Sequence, residues 1–187
     1  MASIAGKIIT FSGASGSGKT TIAQEVLKLR PVYTLIPSLT TRAARSTDLP
    51  NEYRHISAQE FTAREQKHEF LWTISLHENR YGTLKYSVDE ALLKVDPSVM
   101  FIAPDCIKLL IDYTQDRVLP FYILSPPEKL LRDRLLKRGE SQHVIDMRIA
   151  DCKKWDEGAR NSGTPYIFIR NKGTIQNTAT DVLKHLS

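Results

Sequence analysis

The sequence predicts an α/β protein with a mostly parallel sheet and helices on both faces. Short apolar, β-prone runs alternate with segments of helical spacing along most of the 187 residues. A glycine-rich turn separates the first of these runs from the first helix. The stretch from about 37 to 90 breaks the alternation and begins with a polar, arginine-bearing segment. These observations predict one domain, 1–187, with a core of 1–36 and 91–187 and a small inserted lobe at about 37–90.

The first half of the chain has clear boundaries for its helices. Ile22, Val26 and Leu29 fall on one face of the first helix, and Pro31 ends it. Residues 57–60 form a capping box, Ser-Ala-Gln-Glu, which predicts the start of another helix. The predicted elements are a strand at 7–11, a helix at 20–28, a strand at 32–39, a loop at 40–51, a helix at 57–68, and strands at 70–76 and 81–86.

The second half alternates more regularly. A second capping box at 87–90 predicts a helix that ends near residue 95, and Pro127 lies at the start of another helix. The predicted order is a strand at 98–103, a helix at 105–113, a strand at 118–124, a helix at 127–137, a polar break at 139–142, a helix at 143–160, a strand at 166–169 and a helix at 174–186.

Composition narrows the class of partner. The chain is 41% hydrophobic, yet it has no run near the roughly 20 apolar residues of a membrane helix and no signal-peptide-like start. Cys106 and Cys152 form no CxxC pair, which is typical of reduced thiols in a cytoplasmic protein. The net charge of +5 is not gathered into one basic run. We therefore expect small anionic ligands, with no nucleic acid and no membrane as partner; the oligomeric state stays open.

The glycine-rich turn satisfies the phosphate-loop pattern GxxxxGK[ST]. Its glycines allow backbone N–H groups to surround phosphates, Lys19 is placed to reach the β- and γ-phosphates, and Thr20 offers a hydroxyl to Mg²⁺. A dinucleotide fold is set aside because no acidic residue closes a second strand about 20 residues later. The motif predicts binding of ATP with Mg²⁺ as cofactor. The predicted ATP-binding residues here are Gly13, Ala14, Ser15, Gly16, Ser17, Gly18, Lys19, Thr20 and Thr21.

Five further segments of the sequence form a pattern that is informative through its order and spacing. Residues 38–45 have the form S-x-x-x-R-x-x-R, 79–83 the form N-x-Y-G-[ST], and 134–139 the form R-L-x-x-R-G. Two more follow at 144–148 and 169–171. With the phosphate loop, they resemble the guanylate kinase family along nearly the whole chain. The resemblance implies a P-loop kinase fold with an acceptor-binding lobe, a helical lid at about 134–148, and nucleoside monophosphate kinase activity.

The resemblance also implies a role for particular side chains. Arginine forks match phosphate oxygens, and phosphoryl transfer depends on positioning and charge neutralisation. The implied acceptor-binding residues are Arg42, Arg45, Tyr53 and Tyr81 for the phosphate, and Ser38 and Thr83 for the base, with Trp72 and Asp105 beside them. The implied catalytic residues are Lys19, Arg134 and Arg148, while Arg138 and Asn171 would lie against the adenine of ATP.

Two positions depart from the family pattern. Trp72 stands where the family has a guanine-reading glutamate, and Asp105 is a single acid where the family has an aspartate pair. Glu69 and Glu78 are nearby candidates for the missing role. The favoured acceptor is GMP or dGMP, and the alternative is a non-guanine acceptor such as ribose 1,5-bisphosphate or a modified nucleotide. An inactive protein-binding module is disfavoured, because such modules usually lose the lysine that this chain retains at Lys19.

Overall fold

The strands of the protein form two sheets. The computed structural model describes residues 6–46, 48–76, 78–137, 139–171 and 174–186. In chain order, the strands are β1 (Ile8–Ser12), β2 (Thr34–Leu35), β3 (Ser38–Thr40), β4 (Tyr53–His55), β5 (Phe70–Leu76), β6 (Asn79–Leu84), β7 (Ser98–Phe101), β8 (Val118–Ile123) and β9 (Ile167–Ile169). One sheet has the order β2-β7-β1-β8-β9, and the other has the order β4-β3-β6-β5.

Helices connect most of these strands. In chain order, they are α1 (Lys19–Leu29), α2 (Ala58–Gln66), α3 (Lys85–Leu92), α4 (Ile107–Thr114), α5 (Glu128–Lys137), α6 (Gln142–Asn161) and α7 (Ile175–Lys184), with a 3₁₀ turn at Pro104–Cys106. In the five-stranded sheet, β2 pairs with β7 and β8 pairs with β9 in parallel. All five residues of β1 are buried, as expected for a central parallel strand covered on both sides. The predicted α/β class with a mostly parallel sheet is confirmed.

The described residues divide into two compact units. One unit contains the described part of 1–10 together with 30–119, and the other contains 11–29 together with the described part of 120–187. The four-stranded sheet, α2 and α3 belong to the first unit. The glycine-rich loop, α1, α5, α6 and α7 belong to the second unit.

The four-stranded sheet has two chemically different faces. One face packs on α2 through a buried cluster of Leu39, Phe61, Phe70 and Leu84, in which the Phe61 and Phe70 rings stack with centroids 4.5 Å apart. Side chains alternate between faces along a strand. The polar residues of β3 and β6, Ser38, Thr40, Tyr81 and Thr83, therefore lie on the face opposite α2.

The single strand predicted at 32–39 is wrong, because the structure has two short strands in different sheets. Ile36 N–H still donates to Val99 O of β7 at 2.8 Å, whereas Ser38 N–H donates to Glu52 O at 3.1 Å. Pro37 lies between them and has no N–H, so it cannot continue a ladder. The proline therefore marks the point where the chain leaves one sheet for the other.

Other elements also differ from the predicted ones: the strand predicted at 81–86 is β6, Asn79–Leu84, and the helix predicted from 105 begins at Ile107. The capping box at 87–90 does not start a helix, since α3 begins at Lys85 and Ser87 lies buried inside it. Leu84 ends β6 within the apolar cluster, and the chain turns into the helix directly after that buried anchor. Strand β4 lies just after the predicted loop and pairs with β3 in parallel. Asp105 lies in the 3₁₀ turn before α4.

Gly82 of β6 is required by packing, and its replacement tests the two-faced sheet. A Cβ there would lie 2.7 Å from Phe70 Cδ1 and 2.9 Å from Trp72 O. We expect Gly82→Ala to lower the free energy of unfolding by about 1–3 kcal/mol, the usual cost of overpacking. Gly158→Ala in α6, with no atom within 4 Å of the new Cβ, should instead raise it by about 0.5–1 kcal/mol. Urea unfolding measures both, and equal stability of the two variants would contradict this packing.

Candidate active site

The glycine-rich loop joins β1 to α1 in a tight backbone curve. Gly13, Gly16 and Gly18 have φ values of 134°, 85° and 99°, which side-chain-bearing residues rarely adopt. A Cβ on Gly16 would lie 2.5 Å from Leu131 Cδ1 of α5, and one on Gly18 would lie 2.8 Å from Asn171 Nδ2. Glycine is therefore favoured at both positions, first by the positive φ and then by the neighbouring side chains that pack on the loop backbone.

Lys19 turns its ammonium group back onto the loop. Its Nζ donates to Gly13 O at 2.6 Å and to Ala14 O at 2.7 Å. These carbonyls belong to the segment that the motif predicts to surround the phosphates. The ammonium group is thus held at the loop by hydrogen bonds that phosphate oxygens are able to replace.

Two hydroxyl groups lie on or just after the loop. Ser17 Oγ is buried, and the structure gives it no hydrogen-bond partner among the residues that it describes. Thr20 is half-buried in the first turn of α1, whereas Thr21 is exposed. Within the described ranges, no group of three or more His, Cys, Asp or Glu side chains is arranged to hold a metal.

Two of the three arginines predicted for the lid contact the loop. Arg134 Nη1 donates to Gly16 O at 3.1 Å, and Arg148 Nη1 donates to Ser15 Oγ at 2.6 Å. Arg148 Nε also lies 3.1 Å from Glu140 Oε2, and both of these side chains are more than four-fifths buried. The third arginine, Arg138, lies outside the described residues.

An apolar cluster holds α5 and α6 against the loop. Leu131 and Leu135 from α5 meet residues from α6, and Trp155 packs against them. Ala14 of the loop belongs to the same cluster, so the loop and the arginine-bearing helices share one core. The residues of α6 in this cluster are Ile145, Ile149 and Cys152.

Asn171, predicted to lie beside the adenine, follows β9. Its Oδ1 accepts a hydrogen bond from Thr178 Oγ1 of α7 at 3.3 Å. Its Nδ2 is the atom that a Cβ on Gly18 would approach most closely. The asparagine is therefore positioned at the loop from the side of α7.

In the other unit, predicted acceptor residues line up across the polar face of the four-stranded sheet. Ser38 pairs in register with Tyr53 of β4, and Ser38 Oγ lies 3.0 Å from Thr83 Oγ1 of β6. Thr83 lies opposite Trp72 of β5. The resulting row, Tyr53–Ser38–Thr83–Trp72, crosses four strands and joins residues that are up to 45 positions apart in the sequence.

The predicted phosphate-binding arginine Arg42 lies beside two tyrosines. Its guanidinium carbon is 5.0 Å from the centroid of the Tyr53 ring, and the rings of Tyr53 and Tyr81 meet edge to face at 6.1 Å. Burial, and then the adjacent Glu52 carboxylate, raise the pKa of Tyr53, so its phenol stays protonated. The structure brings Arg42, Tyr53 and Tyr81 together.

Asp48 is the central acid of this cluster, and sequence reasoning missed it. Its Oδ1 accepts from Arg42 Nη2 at 2.8 Å, and its Oδ2 accepts from the Arg45 N–H at 2.9 Å. His55 Nε2 lies 3.6 Å from the same carboxylate. Burial alone would raise the pKa of Asp48, but the hydrogen bonds from Arg45 N–H and Arg42 outweigh it and hold the pKa below its ordinary value. An acid three residues after Arg45 was the available signal.

The remaining acceptor candidates differ in exposure. The side chains of Arg45 and Asp105 are exposed to solvent, whereas Trp72 is buried. Glu69, a candidate stand-in for the missing acid, has its Oε2 2.9 Å from Arg64 Nη1 of α2. That carboxylate is thus already engaged by a cation.

The strand–glycine loop–helix unit carries Lys19, and Arg134 of α5 and Arg148 of α6 donate hydrogen bonds to the loop. This arrangement places the protein in the class of P-loop kinases. A family model described as "Guanylate kinase" matches residues 5–180. The chain belongs to the guanylate kinase family. It is 35% identical over 156 residues to the guanylate kinase of Porphyromonas gingivalis, covering 79% of this chain and 81% of that protein. It is 31% identical over 167 residues to the guanylate kinase of Carboxydothermus hydrogenoformans, covering 89% and 81%.

A solved structure supports the fold. The crystal structure of guanylate kinase from Anaplasma phagocytophilum aligns with a TM-score of 0.66 at 22% identity, covering 96% of this chain and 83% of that one. At this identity the match concerns the fold alone. Within the described residues, every helix is too short or too polar to cross a membrane.

The Asp48 cluster makes stability depend on pH. Because the pKa of Asp48 is lowered on folding, its contribution is present above the ordinary carboxyl pKa and is lost as pH falls through the folded-state value. We expect Asp48→Asn to cost about 1.5–3 kcal/mol at neutral pH, the range for a hydrogen bond to a charged group. The deficit relative to the unmodified protein should shrink as pH is lowered below the ordinary carboxyl pKa toward the lower folded-state pKa of Asp48.

Asp181→Asn is the matched control, since Asp181 pairs with Lys184 on the surface and its side chain is 60% exposed. That substitution should change stability by less than about 0.5 kcal/mol. Denaturant unfolding of all three proteins at several pH values makes the comparison. An Asp48→Asn deficit that is independent of pH would show that the charge of Asp48 has no part in it.

Proposed function

We propose that the protein catalyses ATP-dependent phosphorylation of GMP, giving ADP and GDP. An oxygen of the GMP phosphate attacks the γ-phosphorus of ATP, and the bond from that phosphorus to the bridging oxygen of ADP breaks. The observation that carries the proposal is the convergence of Lys19, Arg134 and Arg148 on the glycine-rich loop. Membership of the guanylate kinase family supports GMP as the acceptor.

The donor half of the proposal rests on the loop and its cations. Backbone N–H groups of the loop would bind the β- and γ-phosphates, and Lys19 would exchange its carbonyl partners for phosphate oxygens. Arg134 and Arg148 would neutralise the charge that spreads over the transferred group. We propose that 134–148 acts as a lid over bound ATP and that Asn171 lies beside the adenine; the same role for Arg138 rests on the family pattern alone.

Mg²⁺ fits the residues that follow the loop. Magnesium is commonly bound through few protein oxygens, with substrate phosphates and water completing its octahedral shell. The hydroxyl of Thr20 and the absence of an acidic cluster in the described ranges suit an ion that arrives with ATP. When bound, the ion would neutralise charge on the phosphates.

The acceptor half rests on the polar face of the four-stranded sheet. Arg42, Arg45, Tyr53 and Tyr81 supply cationic and phenolic donors suited to a phosphate. We propose that the lobe at about 37–90 binds the acceptor through them, with Ser38 and Thr83 toward the base and Asp105 beside it. Ribose 1,5-bisphosphate or another non-guanine acceptor is not favoured, because the relatives compared above are guanylate kinases.

We propose that the protein acts on small molecules in the cytoplasm, without nucleic-acid or membrane partners. The state of the two thiols agrees with the cytoplasmic location. Cys106 and Cys152 are both free and buried. Burial raises the pKa of Cys106 to about 12 and also raises that of Cys152, so both remain protonated and poorly reactive. Such thiols are compatible with a reducing compartment.

Lys19→Ala tests the proposed function most directly. We expect GMP-dependent ADP release to fall by about 10²–10³-fold, the usual loss for one transition-state donor. Folding should be retained, because the hydrogen bonds of Lys19 to Gly13 O and Ala14 O lie within the loop itself, and the glycines of the loop allow its backbone curve. A coupled ADP-release assay against GMP, dGMP, AMP and ribose 1,5-bisphosphate also tests the acceptor. Turnover near that of the unmodified protein in the Lys19→Ala variant would contradict the donor assignment.

Arg45→Ala separates the two substrates. Arg45 has an exposed side chain, so its loss should leave the fold intact while weakening acceptor phosphate binding. We expect the KM for GMP to rise by about ten- to a hundred-fold and the KM for ATP to stay within about twofold. Arg54→Ala is the control, since Arg54 is also exposed but bonds Tyr86 Oη instead. Equal changes in both KM values would remove Arg45 from the acceptor site.

A further inference from the structure

The indole of Trp72 has an unsatisfied hydrogen-bond donor in the interior of the protein. Only 5% of the Trp72 surface is exposed to solvent. Its Nε1 has no hydrogen-bond partner among the residues that the structure describes. A buried donor without an acceptor costs about 1–3 kcal/mol. Such groups are rare enough in folded proteins that each one calls for an explanation.

A β-bulge directs this side chain to the polar face of the four-stranded sheet. The register shifts between Phe70 and Trp72, so that Phe70 lies opposite Leu84 while Trp72 lies opposite Thr83. Two positions separated by one residue would ordinarily face the same side. Phe70 instead joins the apolar cluster on α2, whereas Trp72 joins the row with Ser38 and Thr83. Bulges that re-aim a side chain are frequent beside active sites.

The hydrogen-bonding chemistry of this row differs from that of a carboxylate pocket. An indole only donates, and the Ser38 and Thr83 hydroxyls, 3.0 Å apart, are able to donate or accept. Guanine presents its N7 and O6 as acceptors on one edge and its N1–H and N2–H as donors on another. A site built around Trp Nε1–H is therefore suited to the acceptor edge of the base.

Building on the proposed function, we propose that Trp72 is a specificity-determining residue whose Nε1–H donates to O6 or N7 of the acceptor base. The contact satisfies the buried donor when the nucleotide binds. Because Nε1 is closed to solvent in the ligand-free chain, the side chains around it shift to admit the base, a common adjustment on binding. The site then reads the O6/N7 edge without a carboxylate on N1–H and N2–H. IMP, which lacks only the N2 amine, is accordingly used within about tenfold of GMP.

A ligand–protein double-mutant cycle tests the contact. Trp72→Phe removes the N–H and keeps an aromatic ring, and kcat/KM is measured with GMP, with 2-aminopurine ribonucleoside monophosphate, which lacks O6, and with 7-deaza-GMP, which lacks N7. In the unmodified protein, loss of the contacted atom should cost about tenfold or more. In Trp72→Phe, kcat/KM for GMP should fall similarly through KM, and the penalty for that atom should disappear. The KM for ATP should not change.

Trp155→Phe is the matched control, because Trp155 is the other tryptophan of the chain and packs on the core around α5 and α6. It should leave both ligand penalties as they are. The Trp155→Phe protein also has a single indole, so one Nε1–H resonance can be followed by NMR as GMP is added. That resonance should move downfield and exchange more slowly with solvent, and this readout holds even if Trp72→Phe folds poorly.

The outcomes separate the two proposals. If the unmodified protein does not phosphorylate GMP, the proposed function fails. If it does, but both ligand penalties are the same in Trp72→Phe or the indole resonance is unmoved by GMP, the inference about Trp72 fails while the proposed function stands. A kcat/KM for IMP far more than about tenfold lower than that for GMP would likewise place the discrimination on the N2 amine and overturn the inference about Trp72.

Discussion

The packing of α5 and α6 on the glycine-rich loop is the contact on which the second unit depends. Leu131 lies so close to Gly16 that even a methyl group there would collide with it, and Ala14 of the loop shares a core with three residues of α6. This packing carries Arg134 and Arg148 to the loop atoms. Apolar contacts therefore position the cations, because long arginine side chains lose too much conformational freedom to be ordered by single hydrogen bonds.

Both groups of arginines, Arg42 with Arg45 in one unit and Arg134 with Arg148 in the other, have a carboxylate beside them. Asp48 bonds Arg42 in one unit, and Glu140 pairs with Arg148 in the other. Grouped arginines repel one another and are costly to bury unpaired. An internal acid holds such a group in place at ordinary pH, and it leaves further N–H donors of each guanidinium for an incoming phosphate.

The two faces of the four-stranded sheet have different roles. One face is apolar and packs on α2, and the other is polar and is proposed to bind the acceptor. The bulge before Trp72 allows Phe70 to remain in the core on α2 while Trp72 joins the polar row. Gly82 makes room for the Phe70 ring beneath it. A chain with strict alternation would place both aromatic side chains on one face.

The local sequence was enough to predict the α/β class, the phosphate loop and most helices, because each depends on short-range periodicity, capping and glycine geometry. The same information led to a single strand at 32–39, and only the assembled structure shows that Pro37 lets two sheets divide it. The capping box at 87–90 was overridden because the buried Leu84 starts the helix earlier.

Tertiary structure alone decided which side chains meet. Asp48 meets Arg42 in the loop between β3 and β4, and Glu140 in the turn before α6 meets Arg148 of that helix. The row from Tyr53 to Trp72 depends on strand register and on a bulge. Register is set by packing between strands distant in the chain, so no local pattern encodes it. The sequence identified Trp72 as a departure from the family. That its Nε1 is buried without a partner could be seen only in the folded protein, because this depends on the same packing between distant strands.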